Sequence, residues 1–195
     1  MTLTILIISI LTTGWKIDKD ISQADSLIIK NQIEGFYSWY ADQIKNKKED
    51  FSPSFKRTDD GMTTLDFERY EAGLRSHGFT DRFIKSRVEN FKPCLDNLEL
   101  IEYQTYLNFD GLDDYEEIKC DFGNAREWTT DQDSHDGADL VSLKRINKRT
   151  IEGTVQFYTI SADGRKSRWD FKQATFTFIR KGTDWKIDGF KMGYL

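Results

Sequence analysis

The chain has little of what usually announces chemistry. Its 195 residues include only two histidines, His77 and His135, two cysteines and two prolines. No G-x-S-x-G elbow, Walker A loop, H-E-x-x-H helix or dinucleotide fingerprint is present, which removes the enzyme classes that depend on them. Nothing in the sequence pairs a thiol with either histidine, so Cys-His nucleophilic catalysis has no support. A basic face is also missing: the net charge is −5 and the pI is near 5.2, which excludes a nucleic-acid footprint. The short basic runs at 45–48 and 144–149 read as solvated ends of elements. No apolar run reaches the ~20 residues a membrane helix needs, so no stable membrane span is expected.

What is there is apolar and aromatic. With 38% hydrophobic and 14% aromatic residues, the chain has a composition that folds rather than stays disordered. Its length suits one domain, placed at 22–195, able to bury a core without staples. Each ring buries a large area, so the rings must line a core or a cavity.

The longest apolar run covers residues 2–13 and ends abruptly in polar sequence. It resembles the apolar region of a secretory signal peptide, here residues 1–15, and the alternative is a buried first strand or helix. Residues 11–15 also resemble a bacterial lipoprotein processing site in which Trp15 stands where the lipidated cysteine would be. That supports export to the periplasm or cell surface without lipidation, with a cytoplasmic location as the alternative. Cys94 and Cys120 are then either one disulfide or two buried thiols.

Along the chain, Ile29, Ile33, Phe36, Tyr40 and Ile44 recur at steps of three and four and predict a long amphipathic helix over 22–48, started by Ser22 or Asp25. Further helices are expected at 64–75, opened by Thr64, and at 81–91, opened by Thr80 and stopped by Pro93. Residues 95–122 read as helix and irregular loop, with 98–107 open to helix or strand and an exposed acidic stretch at 110–117. A strand over 138–146 and three more over 150–160, 167–180 and 184–192 follow, separated by turn-forming residues 162–165 and 181–183. Helices first and antiparallel strands second define an α+β protein. In the third of these four strands Trp169 and Phe171 share one parity while Ala174, Phe176 and Phe178 take the other. A β-bulge near Gln173 would bring them onto one apolar face, the alternative being that both faces of the strand are buried.

The long aromatic first helix, with residues 36–40 at its centre, the Gln132-Asp133 pair before the first long strand and the terminal 185–190 motif resemble the nuclear transport factor 2-like superfamily. Within it they resemble secreted bacterial proteins of the domain of unknown function 3828. The resemblance spans roughly residues 25–192 and implies N-terminal helices packed on a strongly curved antiparallel sheet, a cone with a pocket at its wide end. It transfers no catalytic residues, and function does not follow from fold.

The cone wall would carry Phe36, Tyr37, Trp39, Tyr40, Phe157, Trp169 and Phe176 as pocket residues. They suit a small apolar ligand or an aromatic rim for a protein partner, as in the immunity and accessory proteins of that superfamily. A homodimer is the self-associated alternative, and no cofactor is expected. An enzyme reading, isomerase- or hydrolase-like, would use Asp170 or Asp188 as base with Tyr37, Tyr40, Tyr106 or Tyr158 as donor. A weaker metal reading places Ca²⁺ on Asp131, Asp133, Asp136 and Asp139, although the glycine spacing is not that of an EF-hand.

Overall fold

The computed structural model describes residues 16–46, 48, 50–120, 128, 129 and 135–194. The expectations for residues 1–15, for Gln132 and for Asp131 and Asp133 lie outside them.

The first helix, α1, runs Gln23–Lys45. Ile29, Ile33, Phe36, Tyr37 and Tyr40 are fully buried on one stripe of it, and burying each side chain stabilises the fold by about 1.5–3 kcal/mol. Ser22 is its N-cap: the Oγ accepts the Asp25 N–H at 3.1 Å, satisfying one orphan donor of the first turn. Asp25 itself turns away from the helix, as described below. At the other end the Asn46 N–H donates to the Asp42 carbonyl, and Lys45 places a cation against the negative end of the dipole.

A hairpin follows that the sequence reading did not separate, with β2 at Ser54–Arg57 and β3 at Thr63–Asp66. The helix expected to open at Thr64 therefore opens later, as α2 at Glu68–Ser76. Thr63 and Leu65 point inward, and both the N–H and the Oγ1 of Thr63 donate to the Ile101 carbonyl at 2.9 Å. A tertiary partner and β-branched side chains thus outweigh the local helix signal. The next helix, α3, is Asp81–Glu89, capped by Thr80, whose Oγ1 accepts the Phe83 N–H. Pro93 does not merely end it. It sits in the first turn of α4, Lys92–Leu98, where a missing N–H costs nothing. Two short helices follow, α5 at Tyr103–Tyr106 and α6 at Leu112–Glu117. Cys94 in α4 and Cys120 beyond α6 are buried and joined as a disulfide, with Cα atoms 4.9 Å apart.

The main sheet is β4 at Gly137–Asn147, β5 at Thr150–Ile160, β6 at Lys166–Lys181 and β7 at Asp184–Tyr194, an antiparallel meander. A two-residue strand, β1 at Lys16–Ile17, adds in parallel to the outer side of β4. The β5–β6 and β6–β7 turns place Gly164 and Gly182 at φ +80° and +62°, where a side chain would be strained. The protein is therefore α+β, with a large, mostly antiparallel sheet. Among the described residues no helix is long and apolar enough to cross a membrane.

β6 breaks its register where the parity slip predicts. Gln156 pairs with Gln173, yet Tyr158 pairs with Arg168, so residues 169–172 face Phe157 alone. Lys172 at the edge of the break and Ala174, Phe176 and Phe178 beyond it are buried, with Phe176 against Phe36 of α1. The break does not restore one continuous apolar face. Trp169 is half-buried against Phe157, with ring centroids at 5.8 Å, whereas Phe171 stays 54% exposed.

Candidate functional site

The rings expected to line a pocket divide into two groups. Phe36, Tyr37, Tyr40, Phe157 and Phe176 are completely buried and pack on one another. Phe36 meets Phe176 at 6.2 Å and Tyr37 meets Phe157 at 5.1 Å, the latter edge to face, a geometry that suits the ring quadrupoles. Tyr37 also donates its hydroxyl to the Trp128 carbonyl at 3.1 Å, and burial holds its phenol well above the ordinary tyrosine range. These five are core. Trp39 and Trp169 are only half-buried, and Trp39 lies 4.7 Å from the His77 ring.

The carboxylates expected to act as bases are placed otherwise. Asp170 is exposed in the bulged stretch of β6. Asp188 is the extra residue of a second irregularity, where Ile187 and Gly189 pair with the adjacent Phe178 and Thr177. Its side chain is 5% exposed and accepts hydrogen bonds from the Thr80 hydroxyl and the Arg82 guanidinium. Among the described residues none of its recorded partners is a tyrosine. Burial pushes the Asp188 carboxyl up. The Arg82 and Thr80 hydrogen bonds and the Arg82 charge push it further down, so it stays below the usual aspartate range. A general base working near neutral pH needs the opposite displacement. Asp188 instead fastens α3 to β7.

That placement sets a pH dependence. A carboxyl held lower in the folded state contributes stability above its unfolded value of about 3.9, and loses it as pH falls through the folded value. Asp188→Asn is expected to lower the urea midpoint at neutral pH, and to flatten the fall in stability below about pH 4. Equal pH slopes in variant and parent would remove Asp188 as the source.

The other tyrosines and aspartates are likewise engaged. Tyr106 stacks on Phe55 at 4.5 Å, and Lys166 Nζ lies 3.6 Å from the Tyr158 ring centroid. Asp139 accepts from Lys166 at 2.5 Å and from Arg168 at 3.0 and 3.2 Å, and Asp136 accepts the Ile160 N–H at 2.6 Å. The two therefore spend their oxygens on the protein's own donors. Among the described residues no group of three His, Cys, Asp or Glu side chains converges as a metal site would.

What remains accessible is the kinked end of β6. Trp169 and Phe171 stack with planes 10° apart and centroids at 5.9 Å. The Lys172 side chain is buried beside them, its Nζ 3.5 Å from the Thr129 carbonyl and 6.0 Å from the Phe171 ring centroid. Beneath lies His135, 4% exposed, its ring 5.5 Å from Tyr40 and 5.6 Å from Phe157. The arrangement is an aromatic edge backed by the buried rings of the core.

Sequence reading did not single out Trp128 or Lys172, took His135 only as one of two histidines outside any catalytic motif, and offered Asp25 only as a helix start. Trp128 and His135 flank an acidic stretch and carry no periodic pattern, so only the fold reveals their burial. Asp25 had a signal, the terminal tryptophan motif. Trp185 is buried and donates its indole N–H to Asp25 at 2.8 Å, while Gln32 donates to the Trp185 carbonyl at 3.3 Å. The indole hydrogen bond is the main reason the Asp25 carboxyl is held below its ordinary value, with Ser22, Arg180 and Arg145 adding to it against the effect of burial. The comparisons with protein-family models, with curated proteins and with solved structures find no match for this chain.

Proposed function

We propose that this chain is an exported binding module of the nuclear transport factor 2-like type, and that it engages a protein partner through the aromatic edge at Trp169 and Phe171. One observation carries the reading. The inward rings are filled against one another while the Trp169–Phe171 stack stands at the surface, Phe171 being 54% exposed. A filled interior leaves these rings no room for a small apolar ligand, and an exposed aromatic pair on a rigid strand has the character of an interface anchor. The cone geometry is supported by the strand meander beside α1 and by the irregularities in β4, β6 and β7, because bulges bend strands and increase their twist. Export is supported by the Cys94–Cys120 bond, since such bonds persist in oxidising compartments. An immunity or accessory role fits a module of this kind.

The test is quantitative capture of a partner from the native host, followed by titration of the purified pair. Phe171→Ser is expected to weaken the complex by roughly 30-fold, as loss of an aromatic hot spot does, while leaving the melting temperature unchanged. A partner bound equally well by this variant would remove the edge from the interface. An apolar small molecule bound with millimolar or better affinity, and lost on Phe157→Ala, would instead restore the pocket reading.

A further inference from the structure

The stretch enclosed by the disulfide has an unusual charge. Between Cys94 and Cys120 stand eight carboxylates and one cation, Lys119, with Lys92 just outside at the start of α4, although the whole chain carries only −5. The remainder is therefore net positive, and the acid is concentrated in one lobe comprising α4, α5 and α6. Glu99, Glu102, Asp110, Asp113, Glu116 and Glu117 are exposed, and among the described residues none has an ion-pair partner within 4 Å.

The same lobe carries apolar surface. Leu100 is 80% exposed and Leu107 54%. Between and beside them Tyr103, Tyr106, Phe109 and Tyr115 are half-buried and form a chain of rings spaced 5.6–5.7 Å, with Phe55 stacked on Tyr106. A groove of about 450 Å³ opens beside Leu107, with Tyr103, Glu102, Asp60 and one cation, Arg57, in its walls. Exposed leucines and half-buried rings rimmed by charge predominantly of one sign are the pattern of an interaction surface rather than of solvation.

We infer that this lobe is a docking surface for a basic protein segment, one presenting Lys or Arg side chains around an apolar residue. The surplus of one sign decides between occupants. A second copy meeting this lobe with its own lobe would bring like charges together, which costs affinity, whereas a basic segment neutralises them and is steered in by them. Tyrosine faces add a favourable site for Arg or Lys. The disulfide gives the surface its shape: α5 and α6 are four and six residues long, too short to hold themselves as helices. The lobe shares no residue with the Trp169–Phe171 edge, so the two surfaces stand or fall separately.

The experiment uses the full chain and a fluorescein-labelled peptide of alternating arginine and leucine, followed by anisotropy at low salt. Wild type is expected to bind, and affinity to fall steeply as ionic strength rises. D113N/E116Q/E117Q and L100S/L107S are each expected to weaken binding by about tenfold, with unchanged circular dichroism because all five side chains are exposed or at the surface. D20N/E89Q/D184N, which neutralises three exposed carboxylates elsewhere, and Phe171→Ser are expected to bind within about twofold of wild type. Equal weakening by that control, or wild-type binding by the two lobe variants, overturns the inference. So does a dimer in sedimentation equilibrium that Leu107→Ser abolishes, which would assign the surface to a second copy.

Discussion

Replacing Cys94 and Cys120 together by alanine is expected to lower the stability of this protein by about 3–4 kcal/mol. The two residues are 26 apart in sequence, and a cross-link across a loop of that size removes about this much entropy from the unfolded chain. The folded side reinforces the estimate. α5 and α6 have four and six residues, lengths at which intrinsic helicity contributes nothing on its own. What fastens the lobe, apart from the disulfide, is mostly a few backbone and side-chain bonds. Tyr103 N–H donates to the Gly61 carbonyl at 3.0 Å, Thr63 to Ile101, and Asn97 Nδ2 to the Ile118 carbonyl at 3.0 Å. Without the disulfide these bonds, the buried Leu98 and Ile118 and the Phe55–Tyr106 stack must hold the segment. Urea denaturation without reductant measures the loss, and wild type in dithiothreitol should reproduce it. For a chain of this length the melting temperature is expected to fall by roughly 10 °C. Hydrogen exchange should report opening of the 99–119 backbone before the main sheet opens. A double variant as stable as the parent would mean the cross-link constrains nothing.

The parts of the fold legible in the sequence are those with long periods. Ile29, Ile33, Phe36 and Tyr40 mark α1 because about three turns repeat one stripe, and Ser22 marks its start because a hydroxyl there has a specific backbone donor to satisfy. Residues 150–192 read correctly as three strands because alternation runs for about ten residues between glycine turns. The elements that escaped are short. β2 and β3 have four residues each, and α4 has seven, too few to display a period. Their conformations come from partners far along the chain, such as Ile101 for Thr63.

The site was legible only in outline. Parity located the irregularity of β6 but not its size, and four residues set against Phe157 alone in β5 decide that Trp169 turns toward Phe157 while Phe171 turns out. Aromatic content likewise cannot separate a ring that fills a core from one that lines a pocket, because both are driven by the same transfer of apolar area from water. In the sequence Asp188 reads as a candidate base. The extra residue in β7 turned it toward Thr80 and Arg82 instead, a consequence of backbone register that no local pattern carries.

Two phenylalanines make the sharpest contrast. Phe36 is fully buried on α1, and its ring lies 5.0 Å from Trp128, 5.1 Å from Phe79, 5.2 Å from Tyr37 and 6.2 Å from Phe176. It therefore joins α1, the segment between α2 and α3, the Trp128 segment and β6. Phe36→Ala is expected to cost about 3–5 kcal/mol, the transfer term of the lost ring plus the cavity left among neighbours that are themselves rings and cannot collapse inward. The melting temperature should fall by about 10 °C or more, with an unchanged urea m value if the unfolded state is unaffected. Phe36→Leu, which keeps most of the volume, is expected to recover more than half of the loss. Phe171→Ser should stay within about 0.5 kcal/mol of wild type, because a ring already exposed to water gives up little on removal. Should Phe36→Ala prove as harmless as Phe171→Ser, the ring cluster around α1 does not hold the helix to the sheet, and the filled interior on which the edge-binding reading depends is lost with it.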